Sequence, residues 1–215
     1  MEKTLVFLSD KVNTYVYLPS VIKNNYKNII KKYLEDIIQK YKIKGFVISN
    51  LSNLKFLEGY KSNFEIIGNS SLNIFNNYSI KECAEYGINK VTLSRELSKT
   101  ELEDILKYNL DIDTELIVYG TLPIMSCNYC FLGKSNMCYP ECKRLCSDDN
   151  SYYLKDRLGF KFRIVSDNIQ SITSIFNSKI LSISPKTYNV SSVRIDILDE
   201  NVTTINKIIE SVKSG

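Results

Sequence analysis

Five of the six cysteines fall within twenty residues, spaced Cys127-x2-Cys130-x7-Cys138-x3-Cys142-x3-Cys146, in a chain of 215 residues that contains no histidine. Thiolates gathered this densely read as a soft-metal site. Without an imidazole, a Ser-His or Cys-His nucleophile, an HExxH zinc protease and any mixed Cys/His finger are excluded. An all-thiolate site, a nest of disulfides, or a set of buried cysteines remains.

Compartment weighs between these. The opening MEKTLVFLSD has only the short apolar run Leu5 to Leu8, too short for a signal-peptide core or a membrane span. The expectation is a cytoplasmic chain with no membrane partner. There disulfides are disfavoured and clustered cysteines more often bind metal. Cys127-x2-Cys130 is a common zinc half-site and Cys142-x3-Cys146 an acceptable second one, so zinc on four cysteines competes directly with an iron-sulfur cluster.

Three further residues are candidates for catalysis. Glu115 lies near the end of a predicted strand, where a barrel site would form, and could handle protons or bind substrate; a solvated acid is the plain alternative. Asp156 and Arg157 either pair across a turn or leave Arg157 to hold an anion with its planar fork. Lys134, Lys143, Arg144, Lys155, Arg157, Lys161 and Arg163 are interleaved with Tyr139, Tyr152, Tyr153, Phe160 and Phe162. That mixture suits RNA, through phosphate contacts and base stacking, and equally suits a hairpin with its apolar side chains inward. Asn73 and Asn76 are polar candidates at a strand end. The net charge of +4, from 28 basic and 24 acidic side chains, does not by itself demand a nucleic-acid partner.

The elements that must position these residues follow an α/β rhythm. Strands are predicted at Thr14–Leu18, Gly45–Ser49, Phe64–Gly68, Asn89–Ser94 and Asp113–Tyr119. Between them come helices over Ile22–Tyr41, Leu51–Tyr60, Ser79–Tyr86 with Ser79 as N-cap and Gly87 as the left-handed stop, and Thr100–Tyr108 with Thr100 as cap. Cys83 shares the apolar face of its helix with Ile80 and Ala84 and reads as core. A hydrophobic content of 44% supports a real core.

The fold expected is therefore α/β: a partial (β/α) barrel of about five strands over 1–125, then over 126–215 a cysteine-rich loop, a β-hairpin around Gly159, and a C-terminal strand-helix segment. Five units are too few to close an eight-stranded barrel. Such a fragment exposes strand edges, so it should self-associate or meet a chain that supplies the missing strands, unless its own cysteine region and C-terminal segment cover them.

Several strings, taken in order, resemble the U32 family of collagenase-like peptidases: Ser71-Leu72-Asn73-Ile74-Phe75-Asn76, Val91-Thr92-Leu93-Ser94-Arg95-Glu96-Leu97, and Glu115 through Tyr119-Gly120-Thr121-Leu122-Pro123-Ile124-Met125. Tyr152-Tyr153-Leu154-Lys155-Asp156-Arg157, Phe162, Asp167 and Ile175-Phe176-Asn177-Ser178 continue the series. The resemblance implies the second half of a (β/α)8 barrel plus a cysteine region. It implies a four-iron four-sulfur cluster more firmly than a protease, since relatives hydroxylate RNA bases or quinone precursors without molecular oxygen.

Cys130, Cys138 and Cys142 match the family's cysteines best. A further family cysteine falls where this chain has Ser171, a poor thiolate substitute. Cys146, one helical turn beyond Cys142, or Cys127 is the replacement. A three-cysteine cluster with an open iron, or a decayed site, is also compatible with the pattern. The resemblance thus implies an RNA-base hydroxylation protein, with a metal- or acid-dependent peptidase and a non-catalytic barrel-completing fragment as the other readings.

Overall fold

The computed structural model describes residues 2–108, 112–134, 142–143, 145–147, 150–167, 170–184 and 188–214, with side chains from residue 4 onward. The chain divides into two compact units, Met1–Ile117 with Pro185–Arg194, and Val118–Ser184 with Ile195–Gly215.

In the first unit, α1 (Glu2–Leu8) precedes β1 (Tyr15–Tyr17), α2 (Lys27–Lys40), β2 (Gly45–Ile48), β3 (Glu65–Gly68), α3 (Asn77–Glu85), β4 (Lys90–Thr92), α4 (Lys99–Leu106) and the start of β5 (Asp113–Cys127). All four neighbouring pairs, β1 with β2 through β4 with β5, are parallel. Strands added in chain order with helical crossovers make a partial (β/α) barrel. Among the described residues no helix is long and apolar enough to cross a membrane.

Register assigns the faces, because residues two apart share one side of a strand. Val16, Phe46 and Ile66 form one layer, and Ile48, Gly68, Val91 and Thr114 the next, on a buried face. The helices bury Leu34 and Ile37, Ile80 and Cys83, and Leu102 and Ile105. Burial pushes the Cys83 thiol pKa up, as the expected core cysteine requires.

The opposite face is more polar. Tyr15 and Glu65 lie level with Gly45, and Tyr17, Val47, Ile67, Lys90 and Asp113 form the layer above. In a flat sheet β1 and β5 would be four spacings, ~19 Å, apart. Yet the Tyr15 phenol is pushed up by burial, by its Glu65 partner and also by the charge of Glu115 on β5. The sheet therefore curls, and this face is its concave side.

Several boundaries differ from the sequence expectation. The α3 cap is Asn76, whose side chain accepts from the Ser79 amide, and the α4 cap is Ser98, in a capping box with Glu101. Each lies before the hydroxyl residue predicted, because a cap must stand three residues ahead of the amide it satisfies. Leu51–Leu57 is a run of 3₁₀ turns, and the stretch before α2 is 3₁₀ over Asn24–Tyr26. Gly87 has φ 80°, the expected left-handed stop.

In the second unit β5 continues past the predicted end at Tyr119. Gly120 (φ 146°) allows this: a Cβ there would stand 2.6 Å from the Asp196 carbonyl oxygen. The rest of β5 pairs antiparallel with β8 (Ile172–Ser182), which pairs with β7 (Lys161–Asp167), which pairs with β6 (Tyr152–Lys155). The hairpin β6–β7 turns at Gly159, φ 91°. A short helix α5 (Phe131–Lys134) lies in the cysteine region, and β9 (Ser192–Asp196) and α6 (Val202–Ser214) close the chain.

Candidate metal centre and barrel-face site

The cysteine region starts from a fixed strand end. Cys127, the last residue of β5, is opposite Thr173 of β8, and its Sγ donates to the Thr173 carbonyl at 3.6 Å. Thr173 is 1% exposed, and its hydroxyl donates to the Tyr129 carbonyl at 2.7 Å. With that proton used, the 3.1 Å contact to Ser166 is a bond donated by Ser166. One buried threonine thus anchors the chain on both sides of Asn128.

Cys130 then opens the α5 turn. Its carbonyl accepts from the Lys134 amide and its Sγ from the Gly133 amide at 3.3 Å. A Cβ on Gly133 would stand in ordinary contact with that sulfur, at 3.5 Å. Leu132 of the same turn and Cys146 line one cavity of about 50 Å³, together with Tyr152, Arg163, Ile164 and Ser166. The cavity brings the Cys130 turn and Cys146 to a common place. Cys142 is exposed, and Cys138 lies outside the described residues.

Among the described residues no three acidic or thiol side chains are grouped closely enough to hold a metal ion. The donor set is nonetheless all sulfur, and an amide N–H to a cysteine sulfur is the support that iron-sulfur thiolates use. Cys130, Cys142 and Cys146 fit such a group, or zinc, in donor chemistry. Ser171, where the resemblance places a further cysteine, has φ 56° and stands two residues before Thr173. That position belongs to the strand end that anchors Cys127 and Tyr129.

The hairpin residues divide. Asp156 accepts the Leu158 and Phe160 amides, both at 2.9 Å, on one oxygen. It shapes the turn, and no ion pair joins it to Arg157 among the described residues. Arg163 binds both oxygens of Asp199 and stands over the Tyr153 ring at 5.7 Å. Tyr153 and Phe160 are 49% and 47% exposed, beside exposed Lys155, Arg157 and Lys161.

In the first unit Glu115 is the third residue of β5, not a residue near its end, yet it stands level with Thr92 at the carboxyl end of β4. Thr92 Oγ1 donates to its Oε1 at 2.9 Å, and Arg194 Nη1 lies 3.6 Å from the same oxygen. One step beyond the Ile48–Gly68 pair come Ser49 and Asn69, in the same layer. Asn69 Nδ2 reaches Tyr17, Ser49 and Ser71, all at 3.2 Å. Tyr17, Ser49, Asn69, Thr92 and Arg194 escaped the sequence reading, since only the strand register aligns them. Asn73 (φ 55°) and Asn76 shape backbone, closing a 3₁₀ turn and capping α3.

The model of Peptidase family U32 matches residues 4–197. The solved structure of the U32 peptidase Mk0906 resembles 56% of this chain at 8% identity and a TM-score of 0.46, and this chain spans 51% of that one, about half its length. No curated protein matches the chain. With 194 of its 215 residues inside the family match, the chain belongs to peptidase family U32.

Proposed function

We propose that Cys130, Cys138, Cys142 and Cys146 hold a four-iron four-sulfur cluster and that the chain acts in oxygen-independent hydroxylation of RNA bases. The observation that carries this reading is the Gly133 amide donated to Cys130 Sγ, in a turn that shares a cavity with Cys146. Held on four cysteines, such a cluster would supply electron transfer. The chain's own residues do the rest. Thr173 fixes the entry to the cysteine region, Tyr153 and Phe160 offer faces for unstacked bases, and Lys155, Arg157 and Lys161 meet phosphates. The thiols suit a reducing, cytoplasmic setting.

Anaerobic purification with iron, sulfide and zinc quantified together tests this. About four irons and four sulfides per chain, lost in Cys130→Ser, is the expected result. Stoichiometric zinc without sulfide would replace the cluster by a structural zinc site, and neither metal would end the reading.

Family membership favours a second reading, a metal-dependent or acid-type peptidase. Glu115, held by Thr92 and Arg194, would be its acid. Cleavage of a collagen peptide that disappears in Glu115→Gln would support it. For either activity we also propose that the open edge at β1, which ends the strand order, is completed by a second copy or a partner chain, a state that light scattering reads directly.

A further inference from the structure

We infer that the polar layer at the carboxyl ends of β2 to β5 is a binding site for an uncharged, flat N–H donor, of the primary amide or amino-heterocycle class. Asn69 is 6% exposed, and its Oδ1 is buried without a hydrogen-bond partner. Its orientation is fixed. The Ser71 hydroxyl donates to the Ser49 carbonyl at 2.8 Å, so toward Asn69 it can only accept, and Nδ2 must face it. Ser49 and Tyr17, the other Nδ2 contacts, come from β2 and β1, which turns Oδ1 toward the β4 side.

On that side stands Thr92, level with Asn69 but with its proton given to Glu115. The layer therefore presents two acceptors on either side of Thr92: Asn69 Oδ1, which is unpartnered, and the Glu115 carboxylate, against which Arg194 stands while also reaching Thr92 Oγ1 at 3.5 Å. A ligand –NH₂ group carries two protons and can serve both. Arg194 lies against Glu115 and offsets its charge, which favours an uncharged donor over a cation. Tyr17 is 55% exposed and offers a ring face for a flat ligand. In a barrel, this carboxyl-end layer is where ligands bind. The inference does not depend on the sulfur chemistry.

The test uses the full chain, isotope-labelled, with benzamide and N,N-dimethylbenzamide as probes, read by amide NMR. Benzamide is expected to shift the Asn69 side-chain amide and the Thr92 backbone signal. The dimethyl probe, which lacks both protons, should bind roughly tenfold more weakly or worse. Asn69→Ala should erase that difference between the probes. Should that variant fail to fold, the comparison of two probes on the unaltered chain still decides. Equal affinity for both probes, shifts confined to other surfaces, or no benzamide binding would overturn the inference.

Discussion

Thr173 and Tyr129 are joined hydroxyl to carbonyl across 2.7 Å, and this bond decides where the cysteine region begins. The residues between β5 and α5 have no ladder of their own. A buried donor from β8 supplies what the strand register no longer can, which is why the side chain at 173 must be both small and able to donate.

Replacing that hydroxyl by a methyl group tests its role. Thr173→Val keeps the volume but orphans the Tyr129 carbonyl and the Ser166 hydroxyl, and should cost about 1–3 kcal/mol in urea unfolding. Thr173→Ser should recover most of it. If the sulfur site is occupied as proposed, the valine variant should also retain less iron per chain than the serine variant. Equal stability of all three proteins would show that the bond carries no weight.

Exposed aromatic side chains on the β6–β7 hairpin should matter to RNA and not to folding. Tyr153→Ala and Phe160→Ala are each expected to weaken single-stranded RNA binding by about 1–3 kcal/mol, the worth of one stacked base. Their unfolding midpoints should stay near the unaltered chain's, because nearly half of each side chain is already in water. Lys155→Gln should instead lower the salt dependence of binding. Unchanged affinity in both aromatic variants would leave the hairpin a purely structural element.

Gly45 is a position where no side chain fits. A Cβ there would stand 1.9 Å from the Glu65 carbonyl oxygen, a backbone atom that cannot move without breaking the β2–β3 ladder. Gly45→Ala should cost about 3 kcal/mol or more and lower the melting temperature by roughly 6–12 °C. Gly59→Ala, where nothing lies within 4 Å, should stay within about 0.5 kcal/mol of the unaltered chain. Calorimetry on the pair separates the contact from a general intolerance of glycine substitution.

The contrast between these glycines shows what sequence could and could not reveal. Strands β1 to β4 were legible because short apolar runs bounded by turn residues have few other solutions. The fifth strand was expected to end at Tyr119, yet β5 runs on through Gly120 and Pro123: Gly120 has φ 146° packed against Asp196, and Pro123 sits between two register shifts. Only the partner strand makes those residues compatible with a ladder. The cysteines announced themselves by spacing. Asn69, Thr92 and Arg194 did not, since Thr92 and Arg194 are 102 positions apart and nothing local marks a threonine that will face a carboxylate.

Acid should weaken the first unit through Glu65. Burial alone would raise its pKa, but the Tyr15 hydroxyl at 2.7 Å and the Lys44 ammonium at 3.3 Å outweigh it and hold the carboxyl below its ordinary value. A depressed folded-state value means that the contribution is fully present above the unfolded value and is lost as pH falls through the folded one. Urea midpoints from about pH 8 to about pH 3 should therefore fall more steeply for the unaltered chain than for Glu65→Gln. Tyr15→Phe removes one of the contacts that lower the Glu65 pKa and should flatten the same acid limb, and added salt should weaken the charge shares of Lys44 and Lys90 rather than the Tyr15 bond, since the Lys44 side chain is 48% exposed. Parallel curves for the unaltered chain and Glu65→Gln would mean that the Tyr15–Glu65 bond is no stronger folded than either group's bond to water.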